Sequence, residues 1–297
     1  MDDYPVKLLN RMLNIYSPSG QERELSNFLL GELKKLGFSS RQDEVGNVIG
    51  EVGSGSPTVL LCGHMDTVPG NLEIKPEKEK IRGRGAVDAK SSLAAMIVAA
   101  SKVGHEFLGK ILLLGVVDEE GKGTGIRHFV QENPTTLDYA VIGEPSNTEN
   151  IVIGYKGLLN LRLECLTKTG HSAASWRYES AIEKAMEVWN LIKAGFPDSK
   201  EHEPRFQAVT GCLTGVQGGE SINVVPSNCT LTMDVRIPPS LNSNQVLNDF
   251  KKKIGSYLND NPSVSIDLEV TDQVEPFLTN SDSLLAQSFS WAIRRIR

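Results

Sequence analysis

The stretch ILLLGVVDEEGKGTG, residues 111–125, decides the fold. Its first seven residues are apolar or glycine, with no alternation, and three carboxylates follow at once: Asp118, Glu119 and Glu120. A strand that is apolar on both faces belongs to a sheet covered on both sides. Three adjacent acids at its carboxyl end repel one another, and desolvation beside a buried edge makes this worse. A positive partner is therefore expected close by.

Working outward, NVIGEV (47–52), TVLLCGH (58–64) and DYAVIG (138–143) have the same strand texture. Between them lie helical patterns: SPSGQERELSNFLLGELKKLGF (17–38), DAKSSLAAMIVAASKV (88–103) and GIRHFVQEN (125–133). Ser19 with Glu22 three residues on has the form of a capping box opening the first of these. Strands alternating with helices predict an α/β fold, a mostly parallel sheet flanked by helices. Beyond residue 156 the texture changes. LLNLRLECL (158–166), FQAVTGCLTGV (206–216) and CTLTMDVRI (229–237) alternate, with helical patterns near 178–194 and 243–258. This predicts an inserted α+β module over 157–271, with residues 1–156 and 272–297 forming the main domain; the final stretch, EPFLTNSDSLLAQSFSWAIRRIR (275–297), reads as a helix.

Composition sets the outer limits. The chain has 297 residues, 39% of them hydrophobic and 23% charged, so a packed core is expected rather than disorder. The net charge of −6 argues against a general nucleic-acid binder. The first residues, MDDYPVKLLNRMLNIYS, lack the basic and apolar regions of a signal peptide, and no apolar run approaches the roughly 18 residues of a membrane span. Cys62, Cys165, Cys212 and Cys229 show no C-x-x-C spacing, and buried reduced thiols in a cytoplasmic protein are the expectation.

The polar residues fall where the strands end. TVLLC runs into His64 and Asp66, ILLLGVV into Glu119 and Glu120, and YAVIG into Glu144, while Asp88 opens the small-residue helix. Ligands of open α/β sheets collect at the carboxyl ends of strands. Taken singly, His64 is a strand-end histidine, Asp88 a helix cap, Glu144 part of a turn and the acidic triplet a solvated loop. Together they are the donor set of zinc, or of cobalt or manganese, in a hydrolytic site. Asp66, two residues after His64, is placed to accept the ring proton that His64 does not use for metal.

The stretches GHMDTVPG (63–70), GRGAVDAK (83–90), VVDEEGKGTG (116–125), GEPS (143–146), GHSAA (170–174) and INVVPSNCTLTMDVRIPP (222–239) resemble, in order and spacing, the motifs of the di-zinc amidohydrolases. That family includes acetylornithine deacetylase, succinyl-diaminopimelate desuccinylase, aminoacylase and carboxypeptidase G. LLCGHMDTVPG, GRGAVDAK and GYKG look closest to its LysW-lysine/LysW-ornithine hydrolase branch, which serves a carrier-protein route to lysine and arginine.

The resemblance implies a zinc-exopeptidase-like domain with an inserted lid and dimerisation domain. It implies two zinc ions per subunit, with cobalt or manganese as substitutes. Asp88 would bridge them, His64 and Glu144 would complete one, and Glu120 would serve the other. Glu119 would be the general base, while Asp66 would fix the tautomer of His64 and raise its basicity as a ligand. His171 would reach the scissile carbonyl from a partner subunit as an oxyanion donor, and Arg236, backed by Asn223, would hold a substrate carboxylate. A homodimer and an acidic amino-group carrier protein are the implied partners, with docking expected on Lys251–Lys253 of FKKKIG (250–255).

There are departures. Ser91 stands where the family usually has glycine. The family's second zinc takes a histidine from a C-terminal segment, and the sequence reaches Arg297 before any such motif, so a C-terminally truncated copy is expected. His105, His128 and His202 are poorly placed to substitute. The leading expectation is hydrolysis of an amide or isopeptide bond that releases lysine or ornithine from the carrier. Small-acyl deacylation, a carboxypeptidase activity, or a non-catalytic dimeric binding remnant are the alternatives. A nicotinamide dehydrogenase is disfavoured, because neither GSGS nor GRG makes a G-x-G-x-x-G turn between strand and helix.

Overall fold

The computed structural model describes residues 4–77, 80–103, 106–132, 136–196 and 205–296. The chain divides into two compact units, Met1–Glu149 and Asn150–Arg297. Residues 272–297, which the sequence reading joined to the first domain, fall within the second of these units.

In the first unit the strands β1 (Ser39–Gln42), β2 (Val48–Gly53), β3 (Thr58–His64), β4 (Lys110–Val116) and β5 (Tyr139–Ile142) form one sheet in the order β1-β2-β4-β3-β5. β4, β3 and β5 run parallel, whereas β1 and β2 are antiparallel additions, so the sheet is mixed. The β1–β2 connection explains the antiparallel half. The Asp43 carboxylate accepts the N–H groups of Val45, Gly46 and Asn47, which closes a tight turn.

The uninterrupted apolar run of β4 is used on both faces. Ile111 and Leu113 pack with Leu8 of α1 (Tyr4–Asn14), Leu29 of α2 (Arg23–Lys35) and Ile97 of α3 (Lys90–Val103). Leu112 and Leu114 point the other way, into a cluster with Phe129 of α4 (Thr124–Glu132). Each such buried side chain contributes roughly 1.5–3 kcal/mol of transfer free energy. Near the carboxyl ends of the strands the packing becomes tighter. A Cβ added to Gly63 would lie 3.1 Å from the Met96 side chain and 3.4 Å from Leu93 Cβ, so α3 lies against bare backbone there. That close approach brings the start of α3, and Asp88 just before it, to the end of β3.

The capping box expected at Ser19 and Glu22 does not form. The Ser19 hydroxyl donates to Asp66, and the Glu22 carboxylate accepts from the N–H groups of Gly20 and Asp118. Both side chains therefore hold the strand-end loops instead of the helix terminus.

The second unit has a four-stranded antiparallel sheet in the order β7-β8-β6-β9, from β6 (Gly157–Leu166), β7 (Thr210–Gly218), β8 (Asn228–Ile237) and β9 (Ser265–Val274). Its alternation is strict: Leu159, Leu161 and Leu163, with Leu231, Met233 and Val235, face α5 (Ala181–Lys193) and α6 (Ser243–Asp260). The opposite face carries Arg162, Glu164, Thr232, Asp234 and Arg236. A last helix, α7, spans Leu284–Ile296. Cys62, Cys165 and Cys229 are buried free thiols, as expected, but Cys212 is exposed because it lies on the open face of β7. No helix among the described residues is long and apolar enough to cross a membrane.

Lys90 at the start of α3 is almost wholly buried, and its ammonium donates to the main-chain oxygens of Met12 (3.1 Å) and Ile15 (2.8 Å) at the end of α1. Burial lowers its pKa to about 8. A cation satisfying carbonyls at a helix C-terminus also complements the helix dipole. Replacing Lys90 by methionine keeps much of the volume but removes both hydrogen bonds. The unfolding free energy from urea titration should then fall by roughly 1–3 kcal/mol; an unchanged midpoint would mean the two carbonyls do not depend on Lys90.

Candidate metal centre

β4 and the loop after it set out the acids. The buried Asn47 side chain accepts from Val117 N–H (3.0 Å) and donates to Gly125 O (2.9 Å), clamping the two ends of the loop. Between them Asp118 adopts a left-handed conformation, φ 57°. Its carboxylate accepts from the Thr124 hydroxyl (2.7 Å) and from the N–H groups of Lys122 and Thr124. Asp118 therefore closes the turn into α4 and is engaged away from its neighbours. The acidic triplet resolves into one turn-former and two site residues.

Asp66 holds those two. It is fully buried, and its carboxylate accepts from Glu119 N–H (3.1 Å), Glu120 N–H (3.0 Å) and the Ser19 hydroxyl (2.7 Å). Burial pushes its pKa up, but His64 and these donors outweigh that and bring it down to about 2. His64, also buried, ends β3 opposite Val116 of β4. Its Nδ1 lies 2.9 Å from the main-chain oxygen of Asp66 and 3.4 Å from the Asp66 carboxylate. The expected carboxylate acceptor is thus the more distant one, because its oxygens are occupied by the Glu119 and Glu120 amides.

With Nδ1–H given to a main-chain carbonyl, Nε2 is the nitrogen turned outward, and it lies 2.9 Å from Asp88 Oδ1. A neutral imidazole would present a lone pair to a carboxylate there, so this contact calls for a positive charge, either a proton or a metal ion. Burial disfavours charge on His64, yet Asp66 and Asp88 outweigh it and raise its pKa to about 9. Two of the acids also shift upward, which for a carboxyl group favours the neutral form. Burial, with help from neighbouring carboxylates, raises Glu119 and lifts Glu144 to about 7.

Two sets of donor atoms gather within 4.8 Å of one another: His64, Asp88 and Glu120; and His64, Glu119 and Glu144. The spacing suits ions with bonds of roughly 2.0–2.2 Å to nitrogen and oxygen. One imidazole and four carboxylates at one sheet edge, with the outward imidazole nitrogen set against a carboxylate, make a donor set that fits a divalent metal. Glu144 groups with Glu119, whereas Asp88 groups with Glu120. His128 lies elsewhere, 4.0 Å from Asp43; His105 and His202 lie outside the described residues.

His171, Asn223 and Arg236 belong to the second unit. Gly170–His171 pairs with Val224–Val225, and Ser172 N–H donates to Asn223 O (3.0 Å), so His171 and Asn223 are neighbours. His171 Nδ1 accepts from Ala173 N–H (3.1 Å), which leaves Nε2 to carry the proton as an outward donor. Arg236 Nε and Nη2 donate to the two Asp234 carboxylate oxygens, at 2.8 and 2.9 Å. Ser19, Glu22, Asn47 and Lys90 were not apparent in the sequence as supports of the centre, since their partners are distant in the chain.

The profile of Peptidase family M20/M25/M40 matches residues 60–297, and the chain belongs to that family. It is 29% identical over 286 residues to the [LysW]-lysine/[LysW]-ornithine hydrolase of Sulfurisphaera tokodaii, covering 95% of this chain and 75% of that protein. It is 38% identical over 233 residues to a Pyrobaculum aerophilum protein given the same designation provisionally, covering 78% of this chain and 66% of the other. The chain spans 55% to 66% of the length of several such relatives. In fold it is similar to the M20 family metallo-carboxypeptidase Sso-CP2 of Sulfolobus solfataricus, with a TM-score of 0.75, 19% identity, and coverage of 100% of this chain and 84% of the other.

The Asp66 network yields a direct expectation. Asp66→Asn replaces one of two charged acceptors by an amide nitrogen that faces N–H donors. Zinc affinity, measured by competition with a chromophoric chelator, should fall by roughly 10–100-fold, as for other groups that orient metal ligands. Unaltered affinity would mean that the Glu119 and Glu120 backbone is fixed without Asp66.

Proposed function

We propose that the protein hydrolyses an amide or isopeptide bond in a metal-dependent reaction, releasing lysine or ornithine from a LysW-type carrier in the cytoplasm during lysine and arginine biosynthesis. The observation that carries this reading is the outward nitrogen of buried His64 set among Asp88, Glu119, Glu120 and Glu144, on a chain similar to relatives with that designation. His64, Asp88, Glu120 and Glu144 would hold the metal, a zinc pair in this reading, with cobalt or manganese able to substitute. When bound, such ions supply Lewis acidity toward the carbonyl and acidify the attacking water.

The chain's own groups do the rest. Glu119, raised by burial, takes a proton from water as its oxygen attacks the carbonyl carbon, and returns it to the leaving nitrogen as the C–N bond breaks. Asp66 fixes where the Glu119 backbone lies and, through its main-chain oxygen, which His64 nitrogen faces outward. In this reading His171, contributed by a partner subunit, stabilises the oxyanion, and Arg236 with Asn223 receives a substrate carboxylate. In this reading residues 1–156 and 272–297 form the catalytic domain, and 157–271 form a lid through which a homodimer assembles.

Docking of an acidic carrier would fall to Lys251 and Lys252, which are exposed on α6. Lys253 is already paired with Asp249 at 3.0 Å.

If Glu119 is the base and not a ligand, Glu119→Gln abolishes turnover while bound metal stays. Base removal costs about 10²–10⁴-fold in rate. Elemental analysis beside the assay checks this, and joint loss of metal and activity would make Glu119 a ligand.

A further inference from the structure

The helical layer of the second unit is not closed everywhere. Beside the end of α5 and the first half of α6 lies a cavity of about 200 Å³. Its apolar walls are Ile192, Phe196, Val209, Leu241, Val246 and Phe250. Ile192, Val246 and Phe250 are buried, so the cavity reaches down to the core of the unit. Phe196 meets Phe250 edge to face at 6.2 Å between ring centroids, and Trp189 in the same manner at 6.1 Å. These contacts hold two aromatic walls in fixed orientation.

Two opposite charges border the same cavity. Asp249 and Lys253 stand one turn apart on α6, and their partly exposed side chains pair at 3.0 Å. The Lys253 ammonium lies 6.0 Å from the Phe250 ring centroid. It also lies close over Gly195, where an added Cβ would come within 2.8 Å of it. The ammonium is thus folded back over the cavity instead of extending into solvent. A solvent-exposed helix pair of this kind contributes only about 0.3–0.5 kcal/mol, so a ligand can part it at little cost.

An apolar cavity with one cation and one anion at its rim selects its ligand narrowly. A ligand of single charge would leave either Asp249 or Lys253 unmatched. Size sets a second limit, because about 200 Å³ is less than the roughly 300–1,000 Å³ of sites for drug-sized ligands. A free α-amino acid with an apolar side chain meets both conditions. Its carboxylate takes Lys253, its ammonium takes Asp249, and its side chain packs against Phe196 and Phe250.

We propose that this cavity is a binding site for a free neutral amino acid with an apolar side chain of the size of leucine or phenylalanine. The site lies within the second unit alone and goes beyond the hydrolase function, since neither metal nor an N-acylated substrate takes part in it. The bound ligand joins the end of α5 to α6 and stabilises the folded unit.

The test uses the full chain with lysine labelled at 13Cε, stripped of metal by chelation so that amino acids cannot bind at the His64 centre. The Lys253 signal, assigned by its loss in Lys253→Arg, should shift saturably with L-leucine or L-phenylalanine. L-lysine, N-acetyl-L-leucine and L-leucinamide, which lack the apolar side chain, the ammonium or the carboxylate, should leave it unmoved. The same two amino acids should raise the Tm of the chain, as any ligand specific to the folded state does. Lys253→Met and Asp249→Asn, both at the rim, should each raise the Kd by about tenfold, the scale of a lost hydrogen bond to a charged group. Lys253→Arg should keep most of the affinity, and Val246→Trp, which fills the cavity, should abolish binding.

No saturable shift with leucine or phenylalanine would overturn the site. Equal shifts with leucine, its N-acetyl derivative and its amide would overturn it as well, because the charge pair would then select nothing. So would a Kd unchanged in both Lys253→Met and Asp249→Asn, a result that stands whether or not Val246→Trp folds.

Discussion

Asp66 makes the contacts on which the centre depends. A buried carboxylate without donors would be costly, and here it is satisfied by two backbone N–H groups and a hydroxyl. Those two N–H groups belong to Glu119 and Glu120, so the same hydrogen bonds that stabilise Asp66 bring both acids to the end of β3. The main-chain oxygen of Asp66 then selects the His64 nitrogen that faces Asp88. One residue thereby couples two parallel strands, two acids and one imidazole.

The remainder of the first unit holds that arrangement in register. Parallel pairing of β3 with β4 places His64 beside Val116, so the loops after both strands leave from the same edge. Bare backbone at Gly63 lets α3 approach, and Lys90 ties the start of α3 to the end of α1. Asn47 and Glu22 hold the loop beyond β4 at Val117 and Asp118. The negative potential of the site follows. Carboxylates are crowded at a partly buried edge, which raises Glu119 and Glu144, and His64 is pushed toward its charged form. A centre with these tendencies stabilises cations.

Much of this was legible in the sequence because it is local or periodic. The apolar run 111–117 declares a strand buried on both faces, and strict alternation at 158–166 and 229–237 declares one-sided strands. His64, Asp88, Glu119, Glu120 and Glu144 were readable as a group because strand ends converge by topology. What the sequence concealed were long-range polar contacts, which leave no period. Ser19 and Glu22 have the spacing of a capping box, and only the fold shows that Asp66 and Asp118 draw them away. Asp118 belongs to the same run of acids, and only its left-handed backbone and its bonds to Thr124 show it to be a turn residue. The antiparallel half of the sheet carries no strong signal for a different reason: the Asp43 turn is local, but β1 before it is short and has no apolar run. Asp234, two residues before Arg236 on one strand, was available from spacing alone.

The central claim is that the His64–Asp88 contact marks a metal site. The most direct test is anomalous diffraction at the zinc edge from crystals of this chain grown with zinc. The account predicts a peak within bonding distance of His64 Nε2 and an Asp88 oxygen, with those two atoms moved apart around the ion. A well-ordered centre at saturating zinc that retains the direct 2.9 Å His64–Asp88 contact, with no peak beside it, would contradict the account.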